Sequence, residues 1–173
     1  MKVPFADLPA QHAALCAELD EAVGKVFAGA AFILGDAVKR FEEAFAPVAG
    51  RAHCVALNSG TSALHLALLA AGVGPGDEVV TTPHTWISTS WGVSYCGATP
   101  VFADVDPVTG NLDPAAAERA ITSKTKALLP VDLYGNPSDW AAFEALAAKR
   151  GLALVEDAAQ AHGAAYRGRP AGS

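Results

Sequence analysis

The chain has 173 residues, about one domain at the usual length of roughly 150 residues. Its 18 acidic and 12 basic residues give a formal net charge of −6, and no stretch concentrates lysine and arginine. This argues against a surface for nucleic acid or an anionic membrane. Hydrophobic residues make up 51% of the chain and charged residues 17%, so intrinsic disorder is excluded and most elements should be buried on more than one side.

The three cysteines, Cys16, Cys54 and Cys96, lie far apart and are odd in number, so they indicate neither a disulfide framework nor a zinc site. The histidines lack metal-ligand spacing such as H-E-x-x-H, and we expect no bound metal. The most apolar stretch, residues 63–73, is too short to cross a bilayer, and the first thirty residues lack the apolar core of a secretion signal. We therefore expect a soluble cytoplasmic protein.

The N-terminal segment shows two helical patterns followed by an apolar run. Helical spacing predicts a first helix that ends near Gly29 and carries Leu15, Leu19, Ala22, Val23 and Val26 on one face. A second, shorter helix carries Val38, Phe41 and Phe45 on one stripe, with Pro47 and Gly50 behind it. The apolar run 53–57 predicts the first strand.

From there helices and strands alternate, as in βαβ units. The later predicted strands are 78–82, 100–103, 127–131 and 152–156. The predicted helices are one around 64–71, one over 86–95, one with Asp113 as its N-cap and Pro114 at its first position, and one capped by Ser138 that ends at Gly151. Near-continuous apolar strands are typical of parallel strands covered on both faces. These patterns predict a three-layer α/β domain with a mostly parallel sheet and the N-terminal helix on its outside.

Residues 58–62, Asn-Ser-Gly-Thr-Ser, lie where a predicted strand ends and a helix begins. Backbone N–H groups and small hydroxyls at a helix N-terminus can bind an anion, which makes this a candidate phosphate site. An ordinary N-cap uses the same residue types, so both interpretations stay open. The G-x-G-x-x-G spacing of a dinucleotide site is absent, which disfavours a nicotinamide dehydrogenase.

Asp157 and Trp86 lie close to the carboxyl ends of predicted parallel strands, where ligands of open α/β sheets bind. Asp157 could face a cationic group there, or it could simply cap the following turn. Its neighbour Glu156 is expected to be solvated or salt-bridged. Trp86 could lay its ring on a planar ligand, although a tryptophan at a helix start more often packs in the core, as we expect for Trp91 and Trp140.

The order of six short motifs along the chain is more specific than any one of them. They are GTSAL at 60–64, GDEV at 76–79, TWIST at 85–89, GATPVF at 97–102, LYG at 133–135 and EDAAQA at 156–161. Together they closely resemble the pyridoxal-phosphate-dependent nucleotide-sugar aminotransferases of the DegT/StrS type, from about residue 41 to 172. The resemblance implies the large domain of the aspartate-aminotransferase-like (type I) fold.

The resemblance also implies residue roles. Gly60, Thr61 and Ser62 would hold the cofactor phosphate, Trp86 would stack on the pyridine ring, and Asp157 would pair with the ring nitrogen. Gln160 would hydrogen-bond the phenolic oxygen of the cofactor. Members of the family usually have histidine where this chain has Asp132, and we assign Asp132 no role. The implied partners are a nucleotide-sugar substrate, an amino-acid donor such as glutamate, and a second subunit in a homodimer.

The resemblance places the lysine that binds the cofactor as a Schiff base beyond Ser173. The six lysines present are expected to be solvated, in helices or surface turns: Lys2, Lys25, Lys39, Lys124, Lys126 and Lys149. We therefore expect residues 1–173 to be the N-terminal part of the large domain, without that lysine or the small C-terminal domain, and inactive on their own. Residues 163–173 show no complete helix or strand pattern. This fits a chain that stops before the fold is complete, and it also fits a polar disordered tail.

Two other functions remain open. A sugar dehydratase of the same family has histidine in place of the lysine and removes a hydroxyl group. A non-catalytic binding or regulatory module on this fold would also lack the lysine.

Overall fold

The computed structural model describes residues 3–173. The helices are α1 Leu8–Ala28, α2 Asp36–Val48, α3 Gly60–Ala70, α4 Ser88–Tyr95, α5 Pro114–Ala120 and α6 Trp140–Arg150. The strands are β1 Glu78–Thr81, β2 Thr99–Phe102, β3 Thr125–Leu128, β4 Ala153–Leu154, β5 Ala165–Tyr166 and β6 Arg169–Pro170. The expectation about Lys2 lies outside the described residues.

Strands β1 to β4 form a sheet in the order β2-β1-β3-β4, and every pair in it is parallel. A parallel bridge between Val131 and Asp157 continues the β3–β4 pairing beyond the strands. Because all four strands run the same way, the segments that follow them emerge at one edge of the sheet. That edge carries the candidate site.

Side chains alternate between the two faces of the sheet, which creates two cores. Val80 and Leu128 pack with Phe143 of α6 on one face. Val79 and Ala127 pack on the other face, in the cluster that holds the buried Leu68 and Val93 of α3 and α4. The predicted three-layer α/β arrangement with a mostly parallel sheet is confirmed.

The expected strand 53–57 is wrong, because this segment forms no strand. A strand exists only where a neighbouring strand pairs with it, and an apolar run does not reveal that partner. The side chain of Val55 is exposed, and the Ala56 amide donates to Glu42 Oε1 of α2 at 2.7 Å. The segment is therefore an extended connection tied to α2.

Several element ends differ from the sequence-based expectation. Asp139 rather than Ser138 caps α6, since Asp139 Oδ1 accepts from the Ala142 amide at 3.3 Å. The Ser138 hydroxyl instead donates to the Val131 carbonyl at 3.2 Å. Pro47 lies inside the last turn of α2, which continues to Val48. Helix α4 begins at Ser88, two residues later than expected, and β4 is only two residues long.

Residues 163–173 contain a finished element, contrary to expectation. Strands β5 and β6 form an antiparallel hairpin. Its two connecting residues, Arg167 and Gly168, have φ values of 51° and 82°, and positive φ at both positions is the geometry of a tight hairpin turn. The Tyr166 hydroxyl donates to Asp139 Oδ1 at 2.6 Å and Arg169 pairs with Glu144, which fixes the hairpin to α6.

The N-terminal helix does not pack on the sheet. The whole of α1 buries no residue, and its Leu15, Leu19 and Val23 are exposed. Trp91, expected in the core, is also exposed, whereas Trp140 is buried as expected. Lys126 lies on β3 rather than in a helix or turn, with its side chain exposed. Within residues 3–173, no helix has the length and apolar character needed to cross a membrane.

Candidate functional site

A cavity of about 250 Å³ opens at the carboxyl edge of the sheet. Its walls come from the segments that follow β1, β3 and β4, so three strand ends contribute to it. The lining residues are Thr85, Trp86, Val131, Leu133, Asp157, Ala159 and Gln160. Three of the residues singled out from the sequence, Trp86, Asp157 and Gln160, therefore share one cavity.

Asp157 is the carboxylate of this cavity, and it is 9% exposed. Its Oδ2 accepts a hydrogen bond from Thr89 Oγ1 at 3.1 Å, and its Oδ1 accepts from the Ala159 amide at 3.2 Å. The second bond is the turn cap that the sequence left open as an alternative. None of the ion pairs formed within residues 3–173 includes Asp157.

Trp86 is 75% exposed and forms one wall of the cavity, so the ring is not core packing. Its carbonyl accepts from the Thr89 amide at 3.1 Å, which starts the turn into α4. The hydroxyls of Thr85 and Thr89 are 3.0 Å apart. Thr89, which bonds Asp157, therefore also fixes the backbone that carries Trp86.

Gly60, Thr61 and Ser62 form the first turn of α3, and the Ser59 hydroxyl caps it by accepting from the Ser62 amide at 3.1 Å. In the part of the chain that the structure describes, the amides of Gly60 and Thr61 have no hydrogen-bond acceptor. A Cβ added at Gly60 would meet no atom within 4 Å, so the space beside the Gly60 Cα is open. The ordinary cap is therefore present, and the same turn keeps two amide donors without an acceptor within the described chain.

Thr61 connects this turn to the rest of the site. Its Oγ1 donates to the Ser88 hydroxyl at 2.8 Å, and Ser88 is buried at the start of α4. The next residue, Thr89, contacts Asp157. Two consecutive residues of α4 thus tie the α3 terminus to the carboxylate of the cavity.

Gln160 positions the loop across the cavity. Its Oε1 accepts from the Tyr134 amide at 2.8 Å. Tyr134 has φ of 57°, in the left-handed region, and lies in the middle of the short 3₁₀ turn Leu133–Gly135 that this contact ties to Gln160. The side-chain nitrogen of Gln160 has no hydrogen-bond partner among the described residues, and Gln160 lines the cavity.

Glu156 and Asp132 are chain neighbours of the cavity residues Asp157 and Val131. The sequence misjudged Glu156 and left Asp132 without a role. Glu156 is neither solvated nor ion-paired but half-buried, and its Oε1 accepts from the Gly172 amide at 2.7 Å. Burial, followed by the carboxyl group of Asp132, raises the pKa of Glu156 to about 7. Asp132 is fully buried, with Oδ1 accepting from the Ser138 amide at 2.8 Å.

Comparison with known proteins identifies the family. The model of the DegT/DnrJ/EryC1/StrS aminotransferase family matches residues 14–173. The chain belongs to this family.

Two relatives and one solved structure illustrate the similarity. The chain is 47% identical over 172 residues to the "pleiotropic regulatory protein" of Geobacillus stearothermophilus, covering 99% of this chain and 46% of the relative. It is 48% identical over 172 residues to the dTDP-3-amino-3,4,6-trideoxy-alpha-D-glucose transaminase of Streptomyces venezuelae, covering 99% and 45%. The crystal structure of S. venezuelae DesV in complex with a ketimine intermediate matches with a TM-score of 0.95 at 48% identity, covering 98% of this chain and 46% of DesV. The chain thus spans less than half the length of these relatives.

The sequence missed three hydroxyl residues that organise the site of this family member, Thr85, Ser88 and Thr89. All three belong to the TWIST motif, in which only Trp86 was given a role. A signal was available, since small hydroxyl residues cluster there around a helix start. Their partners could not be inferred, because Thr61 and Asp157 lie 27 and 68 positions away from them.

Proposed function

We propose that residues 1–173 form the N-terminal part of the pyridoxal-phosphate-binding large domain of a nucleotide-sugar aminotransferase. The reaction would transfer an amino group from an amino acid such as glutamate to a keto-sugar nucleotide. The observation that carries the proposal is the shared cavity of Trp86 and Asp157, an exposed aromatic face beside a carboxylate without a cation. Family membership and the dTDP-sugar transaminase relative support the substrate class.

The first turn of α3 would bind the cofactor phosphate. The Gly60 and Thr61 amides point their N–H groups out of a helix N-terminus, where the helix dipole favours an anion. The open space at Gly60 leaves room for the phosphate oxygens. Ser62 would contribute its hydroxyl, since its amide is already bonded to Ser59.

Trp86 and Asp157 would hold the pyridine ring. The exposed face of Trp86 suits offset stacking on a planar ring. The buried Asp157 carboxylate would keep the ring nitrogen protonated by charge pairing, and the hydrogen bond from Thr89 fixes the orientation of that carboxylate. Pyridoxal phosphate, when bound, supplies an electron sink for the negative charge left when a proton leaves carbon. The free amide donor of Gln160 would bind the phenolic oxygen of the cofactor.

A homodimer is part of the proposal, and apolar exposure in the N-terminal residues supports it. An exposed apolar surface of this kind usually marks a contact with another protein chain, which in most soluble oligomers is a second copy of the same chain. The exposed side chains are Phe5, Leu8, Leu15, Leu19, Val23, Phe27, Phe32, Ile33 and Leu34.

The three free cysteines, Cys16, Cys54 and Cys96, support a reducing compartment, and we place the reaction in the cytoplasm.

The test uses the full natural chain with pyridoxal phosphate, glutamate and a keto-sugar nucleotide, and detects amino-sugar product by mass spectrometry. Asp157→Asn should lower the transfer rate by about 10²–10³-fold, because it removes a preorganised charge from the site. Asp20→Asn, at an exposed position of α1, should leave the rate unchanged. An unchanged rate in Asp157→Asn would remove the assigned role of this carboxylate.

Tryptophan variants test the ring contact by spectroscopic titration of the cofactor. Trp86→Ala should weaken binding by roughly 2–10-fold, because aromatic stacking contributes about 0.5–1.5 kcal/mol beyond area burial. Trp91→Ala is the matched control, since Trp91 is also exposed but does not line the cavity. Equal effects of the two variants would argue against stacking on Trp86.

A regulatory protein without catalysis is the second candidate, favoured by the name of the G. stearothermophilus relative. The same assay separates the two functions. A regulatory protein would bind cofactor or sugar nucleotide without forming product, and Asp157→Asn would then have no rate to lower.

A further inference from the structure

Thr85 lines the cavity, and its hydroxyl has one hydrogen-bond partner among the described residues, Thr89 Oγ1 at 3.0 Å. A small hydroxyl residue near a helix start usually caps the helix by accepting from a backbone amide. No side chain caps α4 within the described chain, so Thr85 does not have this role. The ordinary reason for a threonine at this position is therefore absent.

Thr89 is the second residue of α4, and it is 1% exposed. A threonine inside a helix usually turns its hydroxyl to solvent or to the carbonyl group four residues earlier. The hydroxyl of Thr89 does neither, because its Oγ1 contacts the side chains of Thr85 and Asp157. Valine has nearly the same shape and is buried at lower cost, since it has no hydroxyl to desolvate. The hydroxyl of Thr89 therefore serves these two polar contacts.

The two contacts of the Thr89 hydroxyl have a definite direction. The Asp157 carboxylate can only accept, so Thr89 donates its single hydroxyl proton to Asp157 Oδ2 at 3.1 Å. The Thr89 oxygen then offers only lone pairs to Thr85, so Thr85 donates to Thr89. Both hydroxyl dipoles thus point toward Asp157, and each bond strengthens the other.

We propose that Thr85 is a positioning residue that acts on Asp157 through Thr89. Thr89 holds Asp157 Oδ2, while the Ala159 amide holds Oδ1 at 3.2 Å, so both oxygens of the carboxylate are fixed. Thr85 in turn fixes the Thr89 hydroxyl, which would otherwise rotate about its Cβ–Oγ1 bond. This role rests on the proposed function, in which Asp157 pairs with the protonated ring nitrogen of the cofactor. The two hydroxyl bonds orient the carboxylate before the cofactor binds, so less freedom is lost on binding.

Two ligands that differ in one ring atom test this role in the full natural chain without bound cofactor. Pyridoxine 5′-phosphate lacks the aldehyde and binds without a covalent bond, and its 1-deaza analogue has C–H in place of the ring nitrogen. Isothermal titration calorimetry gives the ratio of their dissociation constants. This ratio isolates the contact with Asp157, because the phosphate and stacking contacts are common to both ligands. The wild type should prefer pyridoxine 5′-phosphate.

Thr89→Val should lower this preference by roughly 10-fold, because the carboxylate loses one hydrogen bond to a charged group. Thr89→Ser keeps the hydroxyl and should keep the preference. Thr85→Val should lower the preference by about two- to threefold, because Thr85 strengthens the Thr89 bond without contacting Asp157. Added to Thr89→Val, Thr85→Val should have no further effect. Thr99→Val, at an exposed position of β2, should match the wild type.

A Thr89→Val protein that keeps the wild-type preference would overturn the proposal. So would an equal loss from Thr85→Val with and without the Thr89 hydroxyl, because Thr85 would then contact the ligand directly. If Thr89→Val does not fold, Thr85→Val still decides, since Thr85 is half-buried outside the helix and an unchanged preference there overturns the proposal. A wild type without any preference would contradict the proposed role of Asp157 itself, and this role of Thr85 with it.

Discussion

Two regions of the molecule use similar apolar residues in opposite ways. In the sheet region, residues 58–173, Phe143 and Leu68 are fully buried within the two cores. In the N-terminal region, residues 3–57, α1 buries nothing and α2 buries only Ala46. Both regions show apolar side chains at helical spacing, so this spacing alone does not determine burial.

The difference shows what each pattern can predict. Helical periodicity fixes which residues share a face, and it predicted both α1 and α6. Periodicity does not show what covers that face. The sheet covers the apolar face of α6, whereas no part of the described chain covers that of α1. The proposed second subunit would supply that cover.

The largest expected effect compares phenylalanines from the two regions. Phe143 is 0% exposed, so Phe143→Ala should cost about 3–5 kcal/mol in the free energy of unfolding, from lost burial and a residual cavity. Phe27 is 68% exposed, and Phe27→Ala should change it by no more than about 0.5 kcal/mol in the monomer. Urea denaturation of both variants at low protein concentration provides the measurement.

Protein concentration sharpens this comparison. If the N-terminal region is covered by a second subunit, Phe27→Ala should become destabilising as the concentration rises and the wild type associates. A large loss in Phe27→Ala at every concentration would contradict the exposure of α1. A small loss in Phe143→Ala would contradict the core assignment.

Much of the sheet region could be predicted because each element carries its own signal. Asp113 and Pro114 marked the start of α5, and the left-handed Gly151 marked the end of α6. Neighbouring residues compete for some ends, as Asp139 does with Ser138. The run 53–57 failed because strand formation depends on a pairing partner that local sequence does not reveal.

The candidate site was predictable where a strand end determines position. The rule that ligands bind at the carboxyl edge of a parallel sheet located Asp157 and Trp86. Contacts between distant segments were not predictable, and Glu156 shows this best. Its proximity to Asp132 and Gly172 is created by folding, so it was wrongly expected to be solvated or salt-bridged.

An intermediate effect compares two glycines. Gly151 has φ of 66°, where a side chain is strained, so Gly151→Ala should cost about 1–2 kcal/mol in the free energy of unfolding. Gly24 lies within α1, and an added Cβ there would meet no atom within 4 Å. Gly24→Ala should therefore stabilise α1 by about 0.5–1 kcal/mol. Denaturation shows the effect at Gly151, and far-ultraviolet circular dichroism shows the gain in helix at Gly24. If both variants changed stability in the same direction, the left-handed conformation of Gly151 and the helical conformation of Gly24 could not both be right.

The smallest expected effect compares an ion pair between helices with one within a helix. Glu118 of α5 accepts from Lys149 Nζ at 2.8 Å and from Arg150 Nη2 at 3.0 Å, and these bonds lower the pKa of Glu118. Its stabilisation is therefore present above the ordinary glutamate pKa and is lost as the pH falls through the lower folded value.

Glu118→Gln should lower the urea midpoint slightly at pH 7, and less in high salt, because exposed charges are screened. The difference from the wild type should shrink as the pH falls through the lowered pKa of Glu118, because protonation removes the charge that the ion pair needs. Glu21→Gln removes the partner of Lys25 within α1, and it should lower the midpoint less, because that pair does not join two elements. A larger loss at Glu21, or a Glu118 effect that stays the same as the pH falls into the acid range, would show that this ion pair does not connect α5 to α6 as described.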